Sequence, residues 1–219
     1  DAIKTYPDNP LFGLKKNGTW SWQSYLDFGR KTDALRAGLT ALGIKRGDKV
    51  CLVSNNRPEW AMTAFACFGI GAAVVPMYEA QLPKDWEFIA KDCHAKAMIV
   101  ATDAICEKAK GLLDSIESLE LMISLDPATK SAADGRIKSF DELLQTKEKV
   151  PSIEPTPKDI ACLIYTSGTT GNPKGVILSH GNLASNVSAM HQAFPMSSMD
   201  RSLSFLPWAH AFGMTVELF

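Results

Sequence analysis

An excess charge of either sign is missing from this sequence: 23 Lys and Arg stand against 24 Asp and Glu over 219 residues, interspersed, for a formal net charge of −1. That excludes a broad electrostatic footprint for nucleic acid or an anionic membrane, so any bound anion must be gripped locally. Cysteine pairs are missing too. Cys51, Cys67, Cys93, Cys106 and Cys162 are odd in number and never form C-x-x-C, which argues against a disulfide framework and fits a reducing compartment. Cys93 and His94 are adjacent but lack a second pair, so they read as a helix end and no metal is assigned to them. No uninterrupted membrane-length run occurs either. The longest apolar stretch, residues 61–78, contains Gly69, Gly71 and Pro76 and is entered through Arg57, Pro58 and Glu59, the pattern of a buried helix followed by a buried strand. Secretory or transit signals, internal repeats and low-complexity tracts are not legible. The chain starts at Asp1 and reaches Phe219 in an apolar stretch, so a longer reading frame is expected.

What is present is a globular composition, 46% hydrophobic and 21% charged, enough for one substantial core. Residues 19–22 alternate like a strand, and residues 25–42 carry apolar side chains at helical spacing until Gly43. A turn at 45–48 and a strand at 50–53 follow, with Asn56 as expected N-cap and Pro58 in the first turn of the next helix. The rhythm repeats with strands at 73–76, 97–101 and 119–124 and helices at 83–92 and 104–113. Such alternation predicts an α/β fold, a mainly parallel sheet with helices on both faces. Ser139 and Glu142 form an S-x-x-E capping box expected to open a helix running to about Thr146. Pro151, Pro155 and Pro157 mark a crossing over 147–158, which divides the chain into a subdomain at 1–150 and the start of another at 151–219.

The chemistry is concentrated after the strand pattern DIACLIY at 159–165. Thr166-Ser167-Gly168-Thr169-Thr170-Gly171-Asn172-Pro173-Lys174-Gly175 places three glycines, four hydroxyls and a lysine in one turn. Glycines let backbone N–H groups converge on an anion, hydroxyls add donors, and a lysine adds a mobile point charge, which are the groups a polyphosphate needs. The loop is not a Walker A element: Gly-Lys-Ser/Thr is missing at the required distance, and Val176-Ile177-Leu178 continues as strand instead of helix. Two other patterns are set aside. Gly69-Ile70-Gly71 begins a dinucleotide fingerprint but has Val74 where its last glycine belongs, so packing explains it better. Ser179-His180 lacks both a nucleophile elbow and a third member.

YTSGTTGNPKGV followed by LSHGNL resembles the phosphate-loop signature of the adenylate-forming superfamily, which includes acyl-CoA synthetases, firefly-luciferase-like enzymes and peptide-synthetase adenylation domains. Residues 19–83 resemble the family's opening region, and LSFLPWAHAFGMTVELF resembles its later Leu-Pro-x-x-His element, so the likeness covers essentially the whole chain. It implies the N-terminal domain of that fold, with the family's C-terminal domain absent from this stretch. The implied reaction has two steps: a carboxylate attacks the α-phosphate of ATP and expels pyrophosphate, then CoA displaces AMP. Mg²⁺ and fixed donors would neutralise the phosphates.

By position, Thr166, Ser167, Gly168, Thr169, Thr170, Gly171 and Lys174 match the ATP-phosphate loop, and His210 matches a histidine that orients the reacting carboxylate. His180 and His191 are read as structural or exposed. NNRPEW, FGIGAAVVPMYE and LPWAHAFGMTVE resemble long-chain fatty acyl-CoA synthetases most, although Gly213 stands where those often carry glutamate. The family's adenine, ribose, Mg²⁺ and catalytic-lysine residues belong to segments outside this stretch, so the chain alone is expected to be inactive and to expose apolar surface. The remaining alternatives are a short nucleotide- or acyl-binding protein, a purely structural remnant with a vestigial loop, and another acid-activating member. An intracellular location is expected, cytoplasmic or on a cytosolic membrane face, with peripheral membrane association compatible with a fatty acid substrate.

Overall fold

A computed structural model describes residues 2–126, 135–166 and 173–218. A short helix α1 (Ala2–Thr5) precedes an antiparallel hairpin, β1 (Pro10–Lys16) and β2 (Thr19–Ser24), and the long helix α2 (Tyr25–Ala41). Then come β3 (Lys49–Val53), α3 (Pro58–Ile70), β4 (Ala73–Met77), α4 (Pro83–Asp92), β5 (Ala97–Val100), α5 (Asp103–Ala109), α6 (Leu112–Ser115), β6 (Leu121–Ser124), β7 (Ile137–Ser139) and α7 (Phe140–Leu143). After the proline-rich crossing lie β8 (Ile160–Thr166), β9 (Lys174–Ser179), α8 (His180–Ala193), a turn of helix α9 (Ala211–Gly213) and a π-helical turn at Met214–Leu218.

Seven strands form one sheet in the order β7-β6-β5-β3-β4-β8-β9, parallel except for the β8–β9 hairpin at its edge. Side chains of successive strand residues point to opposite faces, and the core divides accordingly. Val50 and Leu52 of β3 and Ala97 and Ile99 of β5 join α2 and α3 on one face. Cys51, Val53, Met98 and Val100 join α4, α5 and α6 on the other. The residues after the crossing extend this same sheet, because β8 bridges β4 at Val74↔Cys162. The crossing itself is tied down where Gly69 leaves no Cβ: one built there would meet Ser152 Oγ at 2.7 Å and Arg36 Cδ at 2.9 Å. Packing thus accounts for Gly69, and Gly71 ends α3 at φ 81°.

Some sequence expectations change. Arg57, not Asn56, takes the N-cap position of α3, and it makes no side-chain cap bond; the Asn56 amide is committed elsewhere. The helix expected over 104–113 is broken into α5 and α6 around Gly111, a poor helix former. Ser139 does precede a helix, but α7 lasts one turn and the expected side-chain cap bond is not formed. Among the described residues no helix is long and apolar enough to cross a membrane.

Candidate functional site

Parallel α/β sheets bind ligands outside the carboxyl ends of their strands, and of the predicted residues Thr166 and Lys174 lie at that edge. Because β8 runs parallel to β4 and β4 parallel to β3, the end of β8 at Thr166 and the end of β3 before Asn56 share it. Thr166 and Lys174 are cross-strand partners at the mouth of the β8–β9 hairpin, both exposed. Ser167, Gly168, Thr169, Thr170 and Gly171 lie outside the described residues. Among the described residues Lys174 has no ion-pair partner, which leaves its ammonium group available to an anion.

The hairpin is braced from behind. Tyr165, paired with Gly175, donates its phenol O–H to Asp92 Oδ2 at 2.5 Å at the end of α4. Burial and that carboxylate push the phenol well above its usual pKa range. Gly175 serves this ring more than any phosphate: a Cβ there would meet Tyr165 Cζ at 2.9 Å. Gly175→Ala is therefore expected to displace the ring and cost about 1–3 kcal/mol, as overpacking does; an unchanged urea midpoint would show that the ring has room.

LSHGNL builds a helix start. Ser179 Oγ accepts from Asn182 N at 3.2 Å while Asn182 Oδ1 accepts from Ser179 N at 3.0 Å. The hydroxyl is thus a cap, not a nucleophile. Gly181 lets α8 approach Pro157, whose carbonyl oxygen would lie 2.8 Å from a Cβ.

His180 packs edge-on against Phe68, with ring centroids 4.8 Å apart, and His191 is exposed on α8. Burial lowers the His180 pKa, partly opposed by Asp159. A lowered folded pKa means that stability is present above the unfolded value of about 6.5 and is lost as pH falls through the folded one. The melting temperature should drop more between pH 8 and 5 in the parent than in His180→Gln; equal drops would remove His180 as the cause.

His210 stands on a separate segment, at the N-cap of α9, exposed, with its Nδ1 accepting from Phe212 N at 3.2 Å. That acceptor role assigns the neutral ring's proton to Nε2, a donor suited to a carboxylate or phosphate oxygen. Trp208, 3% exposed, anchors the segment against Trp60 and Phe12, with centroid separations of 5.8 Å and 5.9 Å. Gly213 fits beneath because any Cβ would strike the Pro207 carbonyl oxygen. Two polar side chains complete the support. Glu217 accepts from Ser204 Oγ at 2.6 Å, Leu206 N at 3.0 Å and Phe205 N at 3.1 Å. Burial alone would raise its carboxyl, but these three donors hold it below the usual glutamate value.

Asn56, just past β3, reaches the same segment. A cavity of about 260 Å³ between the ends of β3 and β4 and this segment is lined by Ser54, Asn55, Asn56, Tyr78, Phe205 and Pro207, among others. The structure thus joins Thr166 to Lys174 and sets His210 on a segment docked at the same sheet edge. Asp92 and Glu217 had no sequence signal and Asn56 was marked only as an N-cap, because each acts through a contact that local spacing does not encode.

The solved structures that the chain resembles share this α/β fold. ATP-bound MatB from Rhodopseudomonas palustris superposes with a TM-score of 0.79 at 24% identity, over 95% of this chain and 40% of that one. The A-PCP didomain of a carboxylic acid reductase from Segniliparus rugosus, in complex with AMP, gives 0.80 at 17%, over 98% and 36%. The fold is that of the adenylate-forming enzymes' N-terminal domain. The chain belongs to the AMP-binding enzyme family, whose model matches residues 1–219. It is 32% identical to the peroxisomal long chain acyl-CoA synthetase 7 of Arabidopsis thaliana, over 96% of this chain and 32% of that protein. It is 28% identical to the long-chain-fatty-acid–CoA ligase FadD15 of Mycobacterium tuberculosis, over 97% and 36%. The chain therefore spans about a third of the length of these relatives.

Proposed function

We propose that the protein containing this chain is an ATP-dependent acid–thiol ligase that activates a long-chain fatty acid as acyl-AMP and passes it to CoA. The observation that carries the reading is the β8–β9 hairpin, which sets Thr166 opposite an exposed Lys174, without an ion-pair partner among the described residues, at the carboxyl edge of the sheet. In this reading Thr166, Ser167, Gly168, Thr169, Thr170, Gly171 and Lys174 hold the ATP phosphates. His210, with its Nε2–H as donor, orients the attacking carboxylate. Nearby donors aimed at developing phosphate charge supply the stabilisation that such a reaction requires.

Mg²⁺ would arrive with the triphosphate and neutralise part of its charge. Among the described residues no three His, Cys, Asp or Glu side chains converge as a metal site, so none is assigned to it and no step is routed through it. The division at residue 150 belongs to the same proposal, with residues 151–219 opening the subdomain that carries the phosphate loop. So does an intracellular location, supported by five unpaired, buried cysteines, with peripheral membrane contact where the fatty acid partitions.

The test is pyrophosphate and AMP release by the full-length protein with ATP, CoA and a panel of acetate, octanoate, palmitate and an aryl acid. CoA-dependent AMP formation greatest with palmitate is expected. Preference for a short or aryl acid would overturn the long-chain assignment, and no pyrophosphate with any acid would overturn acid activation itself.

A further inference from the structure

Asn56 is placed to control a residue far from it in sequence. Its Nδ2 donates to Leu206 O at 2.7 Å and to Ser204 Oγ at 3.0 Å, while its Oδ1 accepts from Trp208 N at 2.9 Å. A carbonyl on one side and an N–H on the other fix which way the amide points. Asn56 lies three residues past the end of β3, close behind Val53 and Ser54, which are 0% and 3% exposed, so the amide stands on a loop that leaves the buried centre of the sheet. Glu217 grips the same stretch but belongs to the turn at Met214–Leu218, a few residues further along the same segment. Among the described residues, Asn56 is the one side chain from outside residues 204–218 with a hydrogen bond to residues 204–208. His210 follows directly, with its own N–H donated to Pro207 O at 3.0 Å.

We propose that Asn56 is a positioning residue that sets where His210 stands, acting through the backbone of Leu206 and Trp208. The inference rests on the reading that His210 serves acid activation. Its physical basis is that a three-bond clamp, unlike the packing of Trp208 alone, fixes the rotation of the segment as well as its depth. A displacement of about 1 Å at a reacting group costs up to roughly 100-fold in rate. Truncation of Asn56 should therefore slow the chemical step more than it weakens ATP binding.

The experiment is a mutant cycle in the full-length protein, reading pyrophosphate release at saturating palmitate and varied ATP. Asn56→Ala should lower kcat about 10-fold with the KM for ATP little changed. His210→Ala should lower kcat at least as far, and the double variant should be no slower than His210→Ala, because groups that act through one another are not additive. Asn56→Asp, which keeps the acceptor for Trp208 N but loses the donors, should fall between parent and alanine and carries the cycle should the alanine variant fail to fold. If the two losses multiply, or if Asn56 variants turn over normally while His210→Ala is slow, the positioning role is overturned and the reading of His210 stands. A silent His210→Ala would instead remove the role of His210 and this inference with it.

Discussion

Lys174→Ala should reduce the rate of acyl-adenylate formation by roughly 10- to 150-fold while leaving the melting temperature within a degree or two. The rate estimate follows from the loss of one charge-assisted hydrogen bond, worth about 1.5–3 kcal/mol, at about 1.4 kcal/mol per factor of ten. The small stability effect follows from position: Lys174 is exposed at the end of an edge strand and, among the described residues, has no ion pair to lose. Lys174→Arg separates charge from shape. A guanidinium keeps the positive charge but presents a planar fork in place of a compact ammonium, so it should recover part of the lost rate. Pyrophosphate release at saturating acid and varied ATP is the measurement. A rate equal to the parent in the alanine variant would end the phosphate-contact assignment, whereas equal loss of rate and stability would make Lys174 a structural residue of the hairpin.

What the sequence revealed of the fold follows from how each element is stabilised. β3 is central and buried on both faces, so Val50 to Val53 is an unbroken apolar run that reads as strand. β7 has three residues at an edge, too few for any periodicity, and was invisible. β1 begins at a proline and carries Gly13, absent of side chain because the Trp22 ring lies across it; neither feature announces a strand. The phosphate loop could be proposed from sequence because its donors are consecutive and its chemistry is local, although residues 167–171 lie outside the described residues. Gly175 shows the limit of that reading: counted among the anion-binding glycines, it proves to make room for Tyr165. Asn56 shows a second limit. An asparagine two residues before a helix-initiating proline invites an N-cap assignment, and nothing nearby announces partners 148 and 150 residues downstream.

Trp60→Ala should be the most damaging single substitution in the supporting core, at about 3–5 kcal/mol of stability, the usual cost of truncating a buried tryptophan. Trp60 is 1% exposed within the cluster formed by α2, α3 and the sheet, and its ring is met edge-on by Trp208. The cavity left behind would open directly beneath the segment that carries His210, so the loss should reach function as well as stability. Trp60→Phe provides the contrast. The Trp60 Nε1–H is buried with no acceptor among the described residues, and an unpaired buried donor costs about 1–3 kcal/mol. Phenylalanine gives up some packing volume but removes that donor, so the two effects offset and the variant should stay within about 1.5 kcal/mol of the parent, the range of tolerated apolar swaps. Urea unfolding of the parent and both variants decides the matter. A Phe variant as unstable as Ala would mean that the indole N–H has a partner after all, and that a polar bond at this position, more than ring volume, holds Trp208 and the His210 segment against the sheet.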